Sequence, residues 1–489
     1  MLKSFRTWAP SSDEKWFYDK SVWQKMFRAM GGCGLDAMIF HNARLFDDEG
    51  SDFAAMRRWI LSSAPDYGIT PYLAIDPKTE LASFGDSIDK AHEAFRSVLE
   101  AYPEVRGLFV KLGDDADYVQ RVIVDAMDAV RPDAPLYLEV SGEPDSRAEA
   151  IKRRANRPIR FVVEYTQNCL VDSNPDPDFG EWIEAVGGQN VAAEISVSNF
   201  APWTSFSYDT AEGILSNLEE MECDGVVLNP LSPDEWPNTS DTFFKLQWQR
   251  DLVWYNVWGG TSVQQLARQG MPKWLVRNSR LVAGFEAGSR IIELITLYFA
   301  GDKRGSWQPL FCSVRGNGKG RLFTIEDMLN LDDMAAFSGK DWWEDITGDP
   351  VVHLREYVES GTSEDAYGPE ELMAELSDLA EQAVAAGEKG MRSNSGEKEL
   401  PSFSREALCM GRLGEFYVER IRAALSHARG EDKEATEHLT RALGFYREMA
   451  EVDSAHRAGV DWTHVVQALE AEHADAAKGV WARGTQYGR

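Results

Sequence analysis

Cysteine and histidine are scarce in this sequence, and their scarcity argues against two classes of protein. Only 5 of the 489 residues are cysteines and only 8 are histidines. The cysteines are widely spaced without a Cys-x-x-Cys pair, and the histidines form neither a His-x-x-x-His nor an HExxH motif. Neither a disulfide framework nor a zinc site is indicated, so we expect no metal ion and no cofactor.

Long apolar runs are also missing. The sequence contains no run of 18 apolar residues, and its first residues, MLKSFRTWAPSSDEKW, lack the apolar core of a signal peptide. We therefore expect a cytoplasmic protein with no membrane partner. A signal peptide that had been removed would leave the same pattern.

Positive charge is in short supply. The chain has 51 Lys and Arg residues against 80 Asp and Glu residues, which gives a formal net charge of −29. Broad nucleic-acid binding needs a basic surface, so we expect no nucleic-acid partner. Acidity of this kind is typical of a well-solvated surface. An anionic substrate would require local positive charge at its site.

A repeated unit organises the chain between Val105 and Asn229. Each unit is a short apolar run that stops at a polar residue and is followed by room for a helix. The five runs end at Lys111, Glu139, Glu164, Glu194 and Asn229. Such runs are typical of parallel strands covered on both faces. Three earlier runs cover Phe5–Pro10, Asp36–Asn42 and Ile69–Ile75. Eight strands predict an α/β fold, a (β/α)8 TIM barrel with a C-terminal α-helical region.

The predicted domains are a catalytic barrel over residues 1–260, capping helices and loops over 261–368, and a helical bundle over 369–489. From Pro369 onward, apolar residues recur every three or four positions, as in amphipathic helices. The glycine-containing stretch Lys303–Asn330 is expected to consist mainly of loops.

Carboxylates at the predicted strand ends are the first candidates for catalysis. Side chains at the carboxyl ends of barrel strands converge on one mouth. Two carboxylates in different environments can divide acid and base roles, and glycosidases need such a pair. The candidate catalytic carboxylates are Glu139, Glu164 and Glu194, with Glu143 close behind. The alternative for each one is a salt bridge to a strand-end Arg or Lys.

Two basic residues, His41 and Lys111, complete the candidate catalytic set. A basic group among carboxylates suits recognition of a carboxylate on the substrate. Either residue could instead abstract a proton α to a uronate carboxylate. Lys111 has a plainer alternative, which is to neutralise neighbouring Glu residues.

Other residues near strand ends are expected to bind substrate. They are Asn42, Arg44, Asp114, Gln167, Asn199, Trp203 and Asn229. The chain has 16 tryptophans, and several fall in predicted loops, among them Trp8, Trp203 and Trp236. Indole rings can stack on the C–H faces of sugars, although core packing also explains many tryptophans.

Three segments resemble the barrel of α-glucuronidases that act on xylan side chains. They are Glu164-Tyr-Thr-Gln-Asn, Gly225-Val-Val-Leu-Asn229 and the segment from Phe244 to Trp258. The resemblance implies a barrel with a helical C-terminal region, in which Glu164 contributes to activating water. The chain is also similar to barrel-plus-helical chains of ulvan-degrading systems, which include dehydratases acting on an unsaturated uronate.

The expected function is a carbohydrate-active enzyme for uronate-containing oligosaccharides, with an anionic oligosaccharide as its partner and a homodimer left open. In the glycoside hydrolase version, Glu164 assists water and Glu139 or Glu194 is the partner acid. Arg44 or Lys111 then holds the substrate carboxylate. In a lyase or dehydratase version, Lys111 or His41 moves the proton while a carboxylate protonates the departing hydroxyl. A non-catalytic sugar-binding protein is the second alternative.

Overall fold

A computed structural model describes most of the chain. The described residues are 1–10, 14–46, 50–85, 87–113, 116–144, 146–166, 170–197, 200, 202–205, 207–259, 278–300, 307–316, 319–331, 340–361, 366–393 and 399–483.

Eight parallel strands close into a barrel in chain order, so that β1 pairs with both β2 and β8. The strands are β1 Leu2–Trp8, β2 Ala37–His41, β3 Thr70–Ile75, β4 Leu108–Lys111, β5 Leu136–Glu139, β6 Ile159–Glu164, β7 Val191–Ser196 and β8 Gly225–Asn229. The prediction of a (β/α)8 barrel is confirmed. The last five strands end within two residues of the predicted positions.

Helices connect the strands. They are Lys15–Tyr18, Lys20–Gly32, Asp52–Ser63, Pro77–Glu80, Ile88–Ala101, Ala116–Val119, Gln120–Val124, Asp125–Val130, Ser146–Arg154, Pro177–Val186, Tyr208–Glu220, Gln247–Arg250 and Leu252–Trp258. The segment after β1 forms two helices, Lys15–Tyr18 and Lys20–Gly32. Asp19 interrupts it, because its backbone is extended and its carboxylate accepts a hydrogen bond from the Ser21 N–H at 2.9 Å.

Alternate residues of each strand point into the barrel. A layer of side chains fills the interior: Ala37, Ile39, Tyr72, Ala74, Phe109, Tyr137, Val162, Ala192 and Val227. Two positions further along six of these strands, the same alternation turns a polar group toward the carboxyl-end mouth. These groups are His41, Lys111, Glu139, Glu164, Glu194 and Asn229. The apolar layer therefore supports a polar site directly above it.

A second polar group lies at the amino end of the barrel, below the apolar layer. The Tyr137 hydroxyl donates to Asp224 at 2.7 Å, and Arg160 donates to the same hydroxyl at 2.7 Å. Arg160 also lies 3.1 Å from the Asp224 carboxylate. We call these three residues the floor triad. Each member has partners within the triad, as expected for a structural cluster.

The C-terminal region is mainly helical. Its helices are Ser279–Phe299, Ile325–Leu329, Lys340–Thr347, Leu354–Ser360, Pro369–Met391, Glu399–Ala428, Asp432–Ser454 and Thr463–Ala476. The Ser279–Phe299 helix packs on Pro369–Met391 and Glu399–Ala428. Close approach needs glycine at Gly284, where a Cβ would meet the Ala386 Cβ at 2.2 Å. Among the described residues, no helix has the length and apolarity needed to span a bilayer.

The stretch expected to be loops between Lys303 and Asn330 contains regular structure as well. Strands β9 Trp307–Gln308, β10 Ser313–Gly316 and β11 Lys319–Leu322 form an antiparallel sheet, with β10 in the middle. A short helix, Ile325–Leu329, follows the sheet. The expectation was wrong because strands of two to four residues are too short to show an alternating pattern.

Buried charges join the barrel to the C-terminal helices. We call Asp241, Arg405, Glu406, Asp453 and Arg457 the interface network. Arg405 Nη2 lies 2.8 Å from Asp241 and 2.9 Å from Glu406, and Arg457 Nη2 lies 2.8 Å from Glu406. All five residues are buried. A buried charge is tolerated only when it is paired, so this network fixes the two regions against each other.

The loop after β7 is held by the same network. The Trp203 indole N–H donates to Asp453 at 3.1 Å, and the Thr204 backbone N–H and hydroxyl donate to Glu406 at 3.1 and 2.7 Å. The C-terminal helices therefore help to position a loop that leaves the carboxyl end of the barrel.

Candidate active site

A buried arginine lies at the centre of the polar mouth. Arg6 comes from β1 and is only 3% exposed. Its Nη1 lies 2.7 Å from Glu139 Oε1 and 2.8 Å from His41 Nε2, and its Nη2 lies 3.1 Å from Glu194 Oε1. One guanidinium thus joins groups from β2, β5 and β7. Sequence reasoning missed Arg6, although it alternates with Trp8 on the inward face of β1.

Glu139 ends β5 and lies in register with Lys111 of β4. Burial raises the pKa of Glu139, and the nearby Glu194 adds to this effect. Arg6 and, more weakly, Lys111 act in the opposite direction. Glu139 therefore forms an ion pair with Arg6, although burial outweighs the stabilisation of its charge.

Glu164 and Glu194 are register partners on the adjacent strands β6 and β7. Such partners have backbones about 5 Å apart. Glu194 is held by Arg6 and by the Asn229 amide, which donates to Oε1 at 2.6 Å. Glu164 has no hydrogen-bond or ion-pair partner among the described residues. The two neighbouring carboxylates therefore lie in different environments.

The environment of Glu164 favours its neutral form. Its side chain reaches solvent, but the surrounding protein removes part of its hydration. This desolvation, followed by repulsion from Glu194 and Asp176, raises the pKa of Glu164 to about 7. A carboxyl group with this pKa can donate a proton near neutral pH.

His41 is neutral in this site. Burial, and then the charge of Arg6, lower the pKa of His41 well below its usual value. Because a guanidinium only donates, we infer that His41 Nε2 accepts from Arg6 and that the proton is on Nδ1. The lone pair of the imidazole is therefore occupied, which weakens the case for His41 as a general base.

Two tryptophans border the carboxylates. The Trp8 indole stacks on His41 with ring centroids 4.8 Å apart and an interplanar angle of 19°. Trp236, in the loop after β8, lies 6.0 Å from Trp8. Both rings are partly exposed, and the buried Trp236 Nε1 has no hydrogen-bond partner among the described residues. Such a surface suits stacking against a sugar ring.

The remaining candidate residues fall into three groups. Lys111 and Asn42 are exposed at the ends of β4 and β2, and Asn229 enters the site through Glu194. Arg44 is half-buried, and its guanidinium lies 4.1 Å from the ring centroid of Phe53 in the outer helix layer. Three candidates lie outside the described residues: Asp114, Gln167 and Asn199.

Trp203 does not belong to the sugar-binding surface. Its side chain is 0% exposed, so it presents no face to a substrate. Its indole packs near Trp462, and its N–H donates to Asp453. The expectation of substrate binding is therefore corrected: Trp203 joins the β7 loop to the C-terminal helices.

Within the described ranges, His, Cys and carboxylate side chains form no group of three that could hold a metal ion. At the mouth, the Arg6 guanidinium lies against both Glu139 and Glu194. The chemistry that these residues themselves offer is proton transfer from Glu164 and stabilisation of positive charge by Glu194.

The comparisons with known proteins agree with this fold. No family model matches the sequence, and no curated protein matches it. Among solved structures, the chain is similar to those of glycoside hydrolases. One is a GH138 enzyme targeting pectin rhamnogalacturonan II, with a TM-score of 0.74 and 15% identity over 97% of this chain and 67% of that one.

A second solved structure, CpGH84B, gives a TM-score of 0.45 and 10% identity over 96% of this chain and 76% of that one. That likeness is too low to carry an argument. At 15% identity, the GH138 likeness establishes a shared architecture of barrel and helices. What this chain does has to be argued from its own site.

Proposed function

We propose that this protein is a glycoside hydrolase acting on oligosaccharides that contain uronic acid. The observation that carries the proposal is the Glu164–Glu194 pair. The two carboxylates are register neighbours, yet only Glu194 is held by a cation, and the pKa of Glu164 is raised to about 7. Glycosidases use two carboxyl groups whose environments separate their roles in this way.

In the proposed first step, Glu164 protonates the glycosidic oxygen as the bond from that oxygen to the anomeric carbon breaks. Glu194 attacks the anomeric carbon and forms a glycosyl ester. Retaining enzymes have carboxyl groups about 5–5.5 Å apart, and a pair on adjacent register positions fits this distance better than a pair separated by water.

In the second step, Glu164 is ionised and takes a proton from water, which attacks the anomeric carbon and releases Glu194. The role in activating water that the α-glucuronidase resemblance implies for Glu164 is thus retained. The role of partner acid that sequence reasoning gave to Glu139 or Glu194 passes to Glu164, because Arg6 contacts both of the others.

The position and charge of Lys111 support the proposal of an anionic substrate. It is exposed at the end of β4, in register with Glu139, on a chain whose formal net charge is −29. A lysine ammonium can pair with a substrate carboxylate as a point charge. The similarity to a GH138 enzyme that targets a pectin supports a complex plant-type glycan as substrate.

The dehydratase alternative has weaker support. It needs a base that removes the proton α to the uronate carboxylate, and the Nε2 of His41 already accepts a hydrogen bond from Arg6. Lys111 remains as the proton-moving group in that version. A sugar-binding protein without catalysis would have no use for a carboxyl group with a pKa of about 7.

The test is mass spectrometry of saturated and lyase-generated oligouronates incubated with the protein in H2¹⁸O. We expect chain cleavage with one ¹⁸O incorporated. Glu164→Gln should give no product, whereas Glu93→Gln should match the wild type because Glu93 is exposed on the outer helix Ile88–Ala101. An intact chain that has lost one water would establish the dehydratase instead. Binding without any product would establish the sugar-binding protein.

A further inference from the structure

Arg6 is a barrel-interior charge that the proposed reaction does not itself use. It is buried on β1, and each of its contacts in the mouth is made to another strand. Buried charges are stabilised only by matched partners. A cation at this position therefore affects the charge of the carboxylates around it. The role inferred for Arg6 rests on the proposed function.

The guanidinium divides the three carboxylates into two classes. Its two terminal nitrogens contact Glu139 and Glu194, and the structure records no contact between Arg6 and Glu164. A nearby cation stabilises the charged form of a carboxylate. Glu139 and Glu194 receive that stabilisation, although burial still raises the pKa of Glu139, and Glu164 receives none from a direct contact.

The orientation of Arg6 is fixed by a third contact. Nη1 donates to His41 Nε2 at 2.8 Å, and His41 in turn stacks under Trp8. Because the imidazole is held between Arg6 and Trp8, it acts as a rigid support rather than as a base. The guanidinium plane is thereby directed at Glu194.

We propose that Arg6 is a positioning residue that reserves Glu194 for the negatively charged role and leaves Glu164 as the proton donor. Arg6 acts through Glu194 and does not contact the substrate. The contact with Arg6 thus determines which of the two adjacent glutamates is negatively charged and which one donates the proton.

The groups that face this set come from five strands and from the segment after β6. Four groups surround Glu194: Arg6, Asn229, Glu139 and Glu164. Lys111 faces Glu139, and Asp176 faces Glu164. Removing the Arg6 charge leaves Glu139 and Glu194 without their shared cation. Both should then hold protons to higher pH. Glu164 loses no direct contact, so its titration should shift less than that of Glu194, although repulsion couples the two groups.

The pH profile of kcat/KM for Arg6→Met tests this inference. Glu194 must be ionised, so the acid-side limb should move up by about 1–3 pH units. The alkaline limb, which reports Glu164, should move less than the acid limb, because Arg6 does not contact Glu164 directly. Arg6→Lys keeps a positive charge but lacks the planar guanidinium group. Its acid limb should therefore lie between those of the wild type and Arg6→Met. If Arg6→Met does not fold, Arg6→Lys provides the test.

The matched control is Arg160→Met. Arg160 is also a barrel-interior arginine bound to a carboxylate, but it belongs to the floor triad at the opposite end. It should lower thermal stability without moving either limb. A uniform loss of rate in the Arg6 variants, with both limbs unchanged, would show a merely structural role and overturn the inference.

A substrate-free measurement keeps this test separate from the proposed function. Proton-uptake difference curves between each protein and its Glu194→Gln partner report the titration of Glu194 together with the change that its charge makes to Glu139 and Glu164. The midpoint should be higher in the Arg6→Lys background than in the wild-type background, and an unchanged midpoint would refute the inference. If the wild type cleaves no glycan, the hydrolase proposal fails, but these curves still decide the role of Arg6.

Discussion

The barrel mouth and the interface network contain the same chemical groups, but they differ in how the carboxylates are paired with guanidinium groups. Both combine arginine and carboxylate side chains, but the interface network is buried, whereas Glu164 in the mouth reaches solvent. In the interface network, Asp241 contacts Arg405 directly, and the pKa of Asp241 is lowered despite its burial. In the mouth, one guanidinium serves Glu139 and Glu194 while Glu164 has none, and the pKa of Glu164 rises to about 7.

The difference shows that residue types alone do not distinguish a structural cluster of charges from a candidate catalytic one. A carboxylate that meets its own guanidinium keeps its charge and fixes the position of two elements. A carboxylate beside other carboxylates without a cation gains a proton that it can give away. Substitutions in each cluster can test whether the two clusters differ in this way.

The largest effect is expected from Glu164→Gln. This variant removes the proton donor, so kcat/KM should fall by roughly 10²–10⁴-fold. The melting temperature should change little, because Glu164 has no bonded partner among the described residues. Steady-state kinetics and thermal unfolding measure the two quantities. Activity within a few-fold of the wild type would remove Glu164 from the mechanism.

Arg405→Met should have the opposite outcome. It leaves Asp241 and Glu406 buried without a shared cation, which should reduce the free energy of unfolding by about 3–5 kcal/mol. Chemical denaturation measures this loss. Arg96→Met is the control, since the Arg96–Glu100 pair is exposed and should contribute under about 1 kcal/mol. Equal losses for both variants would contradict a structural role for the network.

Lys111→Ala should produce a smaller and more selective effect. If Lys111 pairs with a substrate carboxylate, KM should rise about tenfold, which corresponds to about 1.4 kcal/mol. The same substrate with its carboxyl group reduced to an alcohol should show almost no difference between the variant and the wild type. Lys90→Ala, on an exposed helix position, is the charge-matched control. A rise in KM for both substrates would argue against carboxylate recognition.

The smallest effect is expected in the pH dependence of stability, because the Glu164 side chain is exposed and solvent screens its interactions. The pKa of Glu164 in the folded protein, about 7, lies above its unperturbed value of 4.5. The folded state therefore binds more protons between these values, so this group makes stability fall as pH rises from about 4.5 to 7. Glu164→Gln should remove that part of the slope. Parallel wild-type and Glu164→Gln curves would show that Glu164 titrates normally.

The strand ends could be predicted because each one is a local pattern. An apolar run that stops at Glu139, Glu164 or Glu194 is visible in a few consecutive residues. The two-residue alternation then places those side chains in the mouth. The C-terminal helices were visible for a similar reason, since their apolar spacing repeats over many turns.

Arg6 and Trp203 were misjudged because their partners are remote in sequence. Arg6 is 133 residues from Glu139, and Trp203 is 250 residues from Asp453. A tryptophan near a strand end has the same local sequence whether it meets a sugar or a buried aspartate. The inward alternation of Ser4, Arg6 and Trp8 is the one local signal that could have identified Arg6.

The contact between Trp203 and Asp453 also has a consequence for the order of biosynthesis. The 250 residues between them take roughly 10–50 s to translate at about 5–20 residues per second. During that interval, all eight strands have emerged while the β7 loop lacks the aspartate that accepts from its indole. The β7 loop can therefore reach its final position only after the late helices have been made and have docked.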